Sequence, residues 1–201
     1  MIYPTLKFEE KLWREGKKLI AGVDEVGRGA FAGPVVVGAV IFFPDSKIPA
    51  GIADSKLLTA KKRQDLESKI KKWALGWAVA EISVEVINRV GIGKATQMAF
   101  VNAVSELKPK PEHILIDGFF IQCLDKNIQT AIIDGDKLSI SIAAASILAK
   151  VYRDQLMERQ DASYSGYGFG KHKGYGTKFH REMIKKHGLC KLHRTSFNII
   201  K

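Results

Sequence analysis

Cysteine is almost absent from this chain: Cys123 and Cys190 are the only two among 201 residues. They allow neither a disulfide framework nor a zinc site, which needs three or four ligands at short, regular spacing. Long apolar runs are missing as well. None approaches the roughly 20 residues of a membrane-spanning helix, although 46% of the residues are hydrophobic. The opening Met1-Ile2-Tyr3-Pro4-Thr5-Leu6-Lys7 lacks the charged-then-apolar order of a secretory signal. The expectation is a cytoplasmic protein with reduced thiols and no membrane association. Also lacking are a Walker A loop, a serine-hydrolase elbow, internal repeats and low-complexity tracts. The length suits one domain spanning 1–201.

Acidic residues are the scarcer charge: 21 Asp and Glu against 32 Lys and Arg, a net charge of +11. The excess is concentrated at one end. Lys171 to Lys201 holds nine Lys/Arg and a single acid, Glu182, together with His172, His180, His187 and His193. A basic segment beside a near-neutral body reads as a polyanion-binding surface. A solvated helix tuned for solubility is the plainer reading. The interleaved aromatics and glycines favour nucleic acid, with about residues 161–201 as a basic, substrate-binding C-terminal part.

The pattern predicts a short amphipathic helix over 4–15, anchored by Leu6, Phe8, Leu12 and Trp13. Strands are predicted at Leu19–Asp24, Pro34–Phe43, Ala74–Ser83, His113–Ile116 and Ile128–Ile133. Thr59 is placed as the cap of a helix ending near Trp73. Further helices are expected near 84–90 and 94–107, from Ser141 to Arg159, and over 177–187, with a loop over 161–176. Three strands in hairpin-like succession, then strands alternating with helices, give an α/β class with a mixed sheet covered by helices.

The few acids that matter share one context. Asp24 and Glu25 stand side by side at the end of an apolar run, Leu19-Ile20-Ala21-Gly22-Val23. Adjacent, partly buried carboxylates repel one another and resist ionisation. Mg²⁺ or Mn²⁺, hard cations that prefer carboxylate oxygen, relieve both costs. Asp117 ends another predicted strand, and Asp136 lies just past a further one. Ligands of open α/β sheets gather outside such strand ends, so four carboxylates there suit two cations. For Asp134 and Asp125 a turn role suffices.

Gly27-Arg28-Gly29 follows the acid pair and offers close backbone approach with a charged fork. Asp54-Ser55-Lys56 suits either a phosphate contact or a helix cap. Ser146, Lys150 and Asp154, spaced i, i+4, i+8, share one helix face. That face either looks toward the metals or carries an ordinary surface ion pair. In Gly166-Tyr167-Gly168-Phe169-Gly170-Lys171-His172-Lys173-Gly174-Tyr175-Gly176, aromatics can stack on sugar or base and Lys can meet phosphate.

Together these residues resemble the ribonuclease HII family. The blocks are Ala21–Gly29 with Gly33-Pro34, Asp54–Lys56, Ile116–Gly118, Gly135-Asp136, Ser141–Val151 with Arg153-Asp154, and His172–Gly176. The resemblance covers about residues 19–180. It implies a ribonuclease H-like fold with a mixed five-stranded sheet and a helical basic C-terminal part. It implies Mg²⁺- or Mn²⁺-dependent cleavage, with two ions, of RNA paired to DNA, leaving 3′-hydroxyl and 5′-phosphate ends. It also implies incision 5′ of single ribonucleotides in duplex DNA, the opening step of ribonucleotide excision repair, by a monomer.

The family acids fall on Asp24, Glu25, Asp117 and Asp136, with Asp154 as an outer metal group. Gly27, Arg28, Gly29 and Tyr175 fall on the positions that sense the 2′-hydroxyl. Ser55, Lys56, Ser146, Lys150 and Lys173 are the remaining expected substrate contacts. Ile87–Thr96 departs from the family pattern, a change expected in helix packing. The type 3 relatives are disfavoured, because their acid pair is not followed by Gly-Arg-Gly. A non-catalytic hybrid-binding module and a DNA nuclease on the same scaffold are the rivals. The acid cluster speaks against the first, and Gly27-Arg28-Gly29 with Tyr175 against the second.

Overall fold

The computed structural model describes residues 3–199. β-Branched runs between Gly and Pro breaks become strands, and the segments with helical spacing become helices. In chain order these are α1 (Lys7–Arg14), β1 (Ile20–Val26), β2 (Val35–Phe42), α2 (Ala60–Trp73), β3 (Gly76–Ile82), α3 (Val84–Val90) and α4 (Ile92–Glu106). Then follow β4 (His113–Asp117), β5 (Gln129–Ile132), α5 (Gly135–Leu138), α6 (Ile140–Ser163), α7 (Phe169–His172) and α8 (Lys178–His187). Thr59 caps α2, its hydroxyl accepting from the Lys62 amide at 3.3 Å.

The five strands form one mixed sheet in the order β3-β2-β1-β4-β5. The first three pair antiparallel, and β1, β4 and β5 run parallel. The parallel strands therefore end on the same edge. Ala21 and Val23 face a core shared with α4, through Ala99, Phe100 and Ala103. Gly22 and Gly38 face α6 on the opposite side. A Cβ on Gly22 would lie 2.1 Å from the Ser141 carbonyl carbon, and one on Gly38 would lie 2.2 Å from the Ala145 oxygen. Small residues on both surfaces, glycine on the strands and Ala143-Ala144-Ala145 on α6, let helix and sheet meet backbone to backbone.

The N-terminus of α6 is tied to α1. Glu9 is buried, and its Oε1 accepts from the Ser139 hydroxyl at 2.6 Å and the Ser141 amide at 2.9 Å. A carboxylate at a helix N-terminus also meets the positive end of the dipole. Glu9→Ala should remove both bonds and destabilise the protein by about 2 kcal/mol. For a chain of this size that lowers the melting temperature by roughly 4–8 °C. An unchanged melting temperature would show that Glu9 holds nothing.

The differences from expectation lie at element ends. α1 spans 7–14, with Leu6 as its N-cap residue. The second helix of the 84–107 pair begins at Ile92, directly after Gly91 at φ +80°. α6 continues to Ser163, and α7 forms one turn inside the expected 161–176 loop.

The basic C-terminal part also buries two of its histidines, His180 and His193, with Nε2 atoms 3.1 Å apart. Burial pushes His180 down to about 4, so it is neutral at pH 7. Tyr167 is buried and stacks on Phe169, ring centroids 5.4 Å apart. These groups form a small second core with Met157 and Ile184.

Candidate active site

The register places the acids. Val23 pairs with Ile116, so Asp24 and Asp117 stand one step further at the common strand edge. Asp117 is level with Ile132, from which the chain turns through Asp134, left-handed at φ +55°, into α5 and Asp136. Strand alternation puts Asp24 on the α6 side with Gly22, and Glu25 on the opposite side. Both still line one cavity of about 430 Å³ at the sheet edge.

Asp24 is 5% exposed and Asp136 2%. Burial, then the charge of Glu25, holds the Asp24 carboxyl well above the usual range; Asp117 and Asp136 add to this, and contact with Ser146 offsets part of it. Burial and the Asp117 charge raise Glu25 to about 7, against the pull of Arg28 and Lys56. Asp117 is raised by burial, although its Oδ1 accepts from the Gly135 amide at 2.7 Å. Lys56 Nζ reaches Asp136 Oδ2 at 3.2 Å. The four acids thus feel one another. Among the described residues, however, no three His, Cys, Asp or Glu side chains form a ready-made metal cage.

The cavity wall carries most of the other expected residues: Gly27, Arg28, Ser55, Lys56, Ser146, Lys150 and Tyr175. Ser55 and Ser146 share a hydrogen bond at 3.0 Å. Gly27 adopts φ +89°, and a Cβ there would sit 2.1 Å from Arg153 Nε. Only glycine allows this turn to lie against that guanidinium. Around Gly29 there is open space.

Asp154 and Lys173 are elsewhere, beside a neighbouring cavity with Arg63 and Lys171. Asp154 Oδ1 pairs with Lys150 at 2.7 Å and Oδ2 with Arg63 at 3.4 Å. Both readings of that spacing hold in part: Ser146 and Lys150 line the cavity with the acids, and Lys150 pairs with Asp154 one turn further on. Lys173 Nζ is held by Glu158 at 2.9 Å.

A sequence model described as Ribonuclease HII matches residues 21–200. The chain belongs to the ribonuclease HII family. It is 48% identical over 195 residues to a ribonuclease HII of Syntrophomonas wolfei, covering 97% of this chain and 76% of that one. It is also 48% identical over 191 residues to the one from Caldicellulosiruptor bescii, covering 95% and 92%. Among solved structures it is similar to the ribonuclease H2 of Pyrococcus horikoshii, with a TM-score of 0.75 and 26% identity over 90% of this chain and 94% of that one. A Bst ribonuclease HIII in complex with Mn²⁺ shares the fold, with a TM-score of 0.67 at 22% identity over 91% of this chain and 68% of that one.

The protein is therefore a ribonuclease H, a hydrolase of RNA-containing nucleic acid. Family membership implies endoribonuclease action on RNA–DNA hybrids that depends on a divalent metal. The donor set fits such a metal: hard carboxylate oxygens, half of them on nearly buried residues, that oppose one another's ionisation until a cation joins them. No helix of the described residues is long and apolar enough to cross a membrane.

The structure adds three residues that sequence reading gave no role. Phe119 lies under the Arg28 guanidinium, 4.9 Å from its ring centroid, and Phe100 packs edge-on against Phe119 at 5.6 Å. An aromatic directly after Asp117-Gly118 was the available signal. Arg153 and Arg194 are both fully buried. Nothing in their spacing marks them, because burial of a cation depends on carbonyls brought from distant segments.

Proposed function

We propose that this cavity cleaves the RNA strand of RNA–DNA hybrids and incises duplex DNA 5′ of a single ribonucleotide, by two-metal-ion hydrolysis leaving 3′-hydroxyl and 5′-phosphate ends. The observation that supports this reading is the placement of Asp24, Glu25 and Asp117 on the cavity wall, with Asp136 near enough for its charge to act on Asp24, beside the Gly27-Arg28 turn and Tyr175. Asp24, Glu25, Asp117 and Asp136 would hold Mg²⁺ or Mn²⁺, which would supply activation of the attacking water and charge stabilisation for the departing 3′-oxygen. The Mn²⁺ complex of the HIII structure is consistent with such a site.

The protein's own groups bind and orient. The Arg28 fork, steadied on Phe119, takes a phosphate oxygen next to the cut. The turn's backbone meets the ribose 2′-hydroxyl, the group that separates RNA from DNA. Ser55 and Ser146 hold each other's hydroxyls and orient toward Asp24 and the phosphate. Lys56 neutralises Asp136 until substrate phosphate competes for it. Lys150 contacts the backbone of the bound strand. Asp154 holds Lys150 in place, an outer group behind the metal site. The enzyme acts as a cytoplasmic monomer of one catalytic domain, with the segment after about residue 161 contributing to substrate binding.

Tyr175 is half-exposed at the cavity mouth, with Arg153 5.4 Å and Lys150 6.0 Å from its ring centroid. Stacking of such a ring on sugar or base is worth about 1–3 kcal/mol. Tyr175→Ala should therefore lower incision at a single ribonucleotide by roughly 10- to 100-fold, with a smaller loss on long hybrids. Equal losses on both substrates would count against junction sensing.

The direct test is a labelled DNA duplex carrying one ribonucleotide beside its all-DNA twin, in Mg²⁺, Mn²⁺ or EDTA. A metal-dependent cut 5′ of the ribonucleotide, absent from the twin, is expected. Binding without cutting in either metal would favour a hybrid-binding module. Cutting of the twin would favour a DNA nuclease.

A further inference from the structure

The Gly27–Pro34 segment is gripped from below by the C-terminal part. The amides of Phe31 and Ala32 donate to the Gly174 carbonyl at 2.9 and 3.2 Å, and the Gly33 amide donates to Leu192 at 2.9 Å. Two buried guanidiniums complete the grip. Arg153 donates to the carbonyls of Pro34, Ala32 and Lys173 at 2.9, 3.0 and 2.8 Å. Arg194 donates through Nε to Gly33 O at 2.9 Å and through Nη1 to Arg28 O at 2.8 Å. Its Nη2 is buried without a partner, and the guanidinium lies 5.2 Å from the Phe197 ring centroid.

Neither arginine has a carboxylate within ion-pair distance among the described residues. Burying a cation without a counter-charge is costly, and an apolar residue of similar volume would pack at less expense. Packing alone therefore does not account for Arg194. What only Arg supplies is a rigid fork that reaches two carbonyls five residues apart while staying charged at neutral pH. Burial and the Arg153 charge lower its pKa to about 9, still above neutrality.

The decisive bond is the one to Arg28 O. A trans peptide is planar, so its C=O and the following N–H point in opposite directions. Drawing the Arg28 carbonyl inward turns the Gly29 N–H outward. The space around Gly29 is open, and no carbonyl or side chain of the described residues accepts from its amide. We propose that Arg194 is a positioning residue for ribonucleotide recognition: by holding the Arg28 and Gly33 carbonyls it sets the Arg28–Gly29 peptide plane, so that the Gly29 amide is presented as a free donor to the ribose or its phosphate. The inference rests on the reading of Gly27-Arg28-Gly29 as the 2′-hydroxyl-sensing turn. It makes the last part of the chain a component of substrate selection.

Arg194→Lys keeps the charge and loses the fork; Arg194→Met keeps the bulk and loses both. For each, kcat and KM are measured on a single-ribonucleotide duplex and on a long hybrid, with the melting temperature alongside. In protein carrying ¹⁵N-glycine, the Gly29 amide cross-peak is followed on adding, with Ca²⁺ in place of Mg²⁺, the ribonucleotide duplex or its all-DNA twin. The expected result is a loss of about tenfold or more in preference for the single ribonucleotide with Arg194→Lys, one such bond being worth about 1.4 kcal/mol. The Gly29 peak should shift in the unbound variant, and in the wild type it should respond to the ribonucleotide duplex and not to the twin.

Losses that are equal on both substrates, with the Gly29 peak unmoved in Arg194→Lys, would make Arg194 a general structural residue and overturn the proposal. If neither variant folds, the wild-type peak decides, and no response to the ribonucleotide duplex overturns it. A wild type that cuts hybrids but ignores the embedded ribonucleotide, with the Gly29 peak still moved by Arg194→Lys, would locate the failure in the reading of the turn and not in the geometry.

Discussion

Asp24→Asn should lower cleavage of an RNA–DNA hybrid at least about 1,000-fold and, in chelator, should raise the melting temperature. The first effect follows from donor chemistry. A ligated cation contributes several kcal/mol of charge stabilisation to the reaction, and each 1.36 kcal/mol is a factor of ten. A neutral amide in place of a buried carboxylate cannot hold a hard cation comparably. The second effect follows from electrostatics. Asp24 is nearly buried, and its carboxyl is pushed up by that burial, by Glu25 and by two further acids. A charge at this position therefore opposes folding, and a neutral amide of the same shape should melt higher than wild type in chelator.

The pH dependence has a definite sign. Glu25 is raised from its usual 4.5 to about 7 in the folded protein. The folded state holds this proton more tightly than the unfolded state, so the stability it contributes is complete below about pH 4.5 and is lost as pH rises toward about 7. Compared with wild type in chelator, Glu25→Gln should gain stability between about pH 5 and about pH 8. Taking the difference between the two proteins cancels His180, whose depressed value acts in the opposite sense, losing stability as pH falls from about 6.5 toward about 4. Mn²⁺ should raise the wild-type melting temperature and leave that of Asp24→Asn nearly unchanged. A variant that still responds to Mn²⁺ and still cleaves would remove Asp24 from the site.

What was readable in advance depended on distance along the chain. Asp24 and Glu25 ending an apolar strand are a local signal, and the register of β1 with β4 and β5 then brings Asp117 and Asp136 to them. The sheet was readable for the same reason, since β2 is a β-branched run between breaks and β3 alternates between buried and exposed residues. Asp154 was ambiguous because i, i+4 spacing fits a site face and an ion pair equally, and the fold shows both, with Ser146 and Lys150 on the cavity wall and Asp154 between Lys150 and Arg63. His180 and His193 stood with the basic segment in the sequence and are core in the fold. Arg153 and Arg194 were silent, because their partners at Ala32, Pro34, Arg28 and Gly33 lie more than a hundred residues away. Composition gives a basic segment, but only the fold separates the cations that face solvent from those that hold backbone.

Gly22→Ala should be among the most damaging single-methyl changes in the molecule, lowering stability by about 3 kcal/mol or more and the melting temperature by roughly 10 °C. The added Cβ would stand 2.1 Å from the Ser141 carbonyl carbon, 2.3 Å from the Ile142 amide and 2.5 Å from the Ser141 Cβ. The first two are backbone atoms of a helix, so no rotamer change relieves the contact, and α6 must lift from β1. The same helix carries Ser146 against Asp24 and Lys150 on the cavity wall, and its start is tied to Glu9. A lift of even about 1 Å at that distance is enough to cost ~100-fold in rate. Gly22→Ala should thus lose both stability and cleavage, and a second substitution of Ala145 on the facing helix should not rescue it, because the clash is with Ser141 and Ile142. Gly16→Ala is the control: its surroundings are open at φ +92°, so it should cost only the strain of a left-handed residue, about 1–2 kcal/mol, and spare activity. If Gly22→Ala melts and cleaves like Gly16→Ala, the backbone-to-backbone seating of α6 on the sheet is wrong.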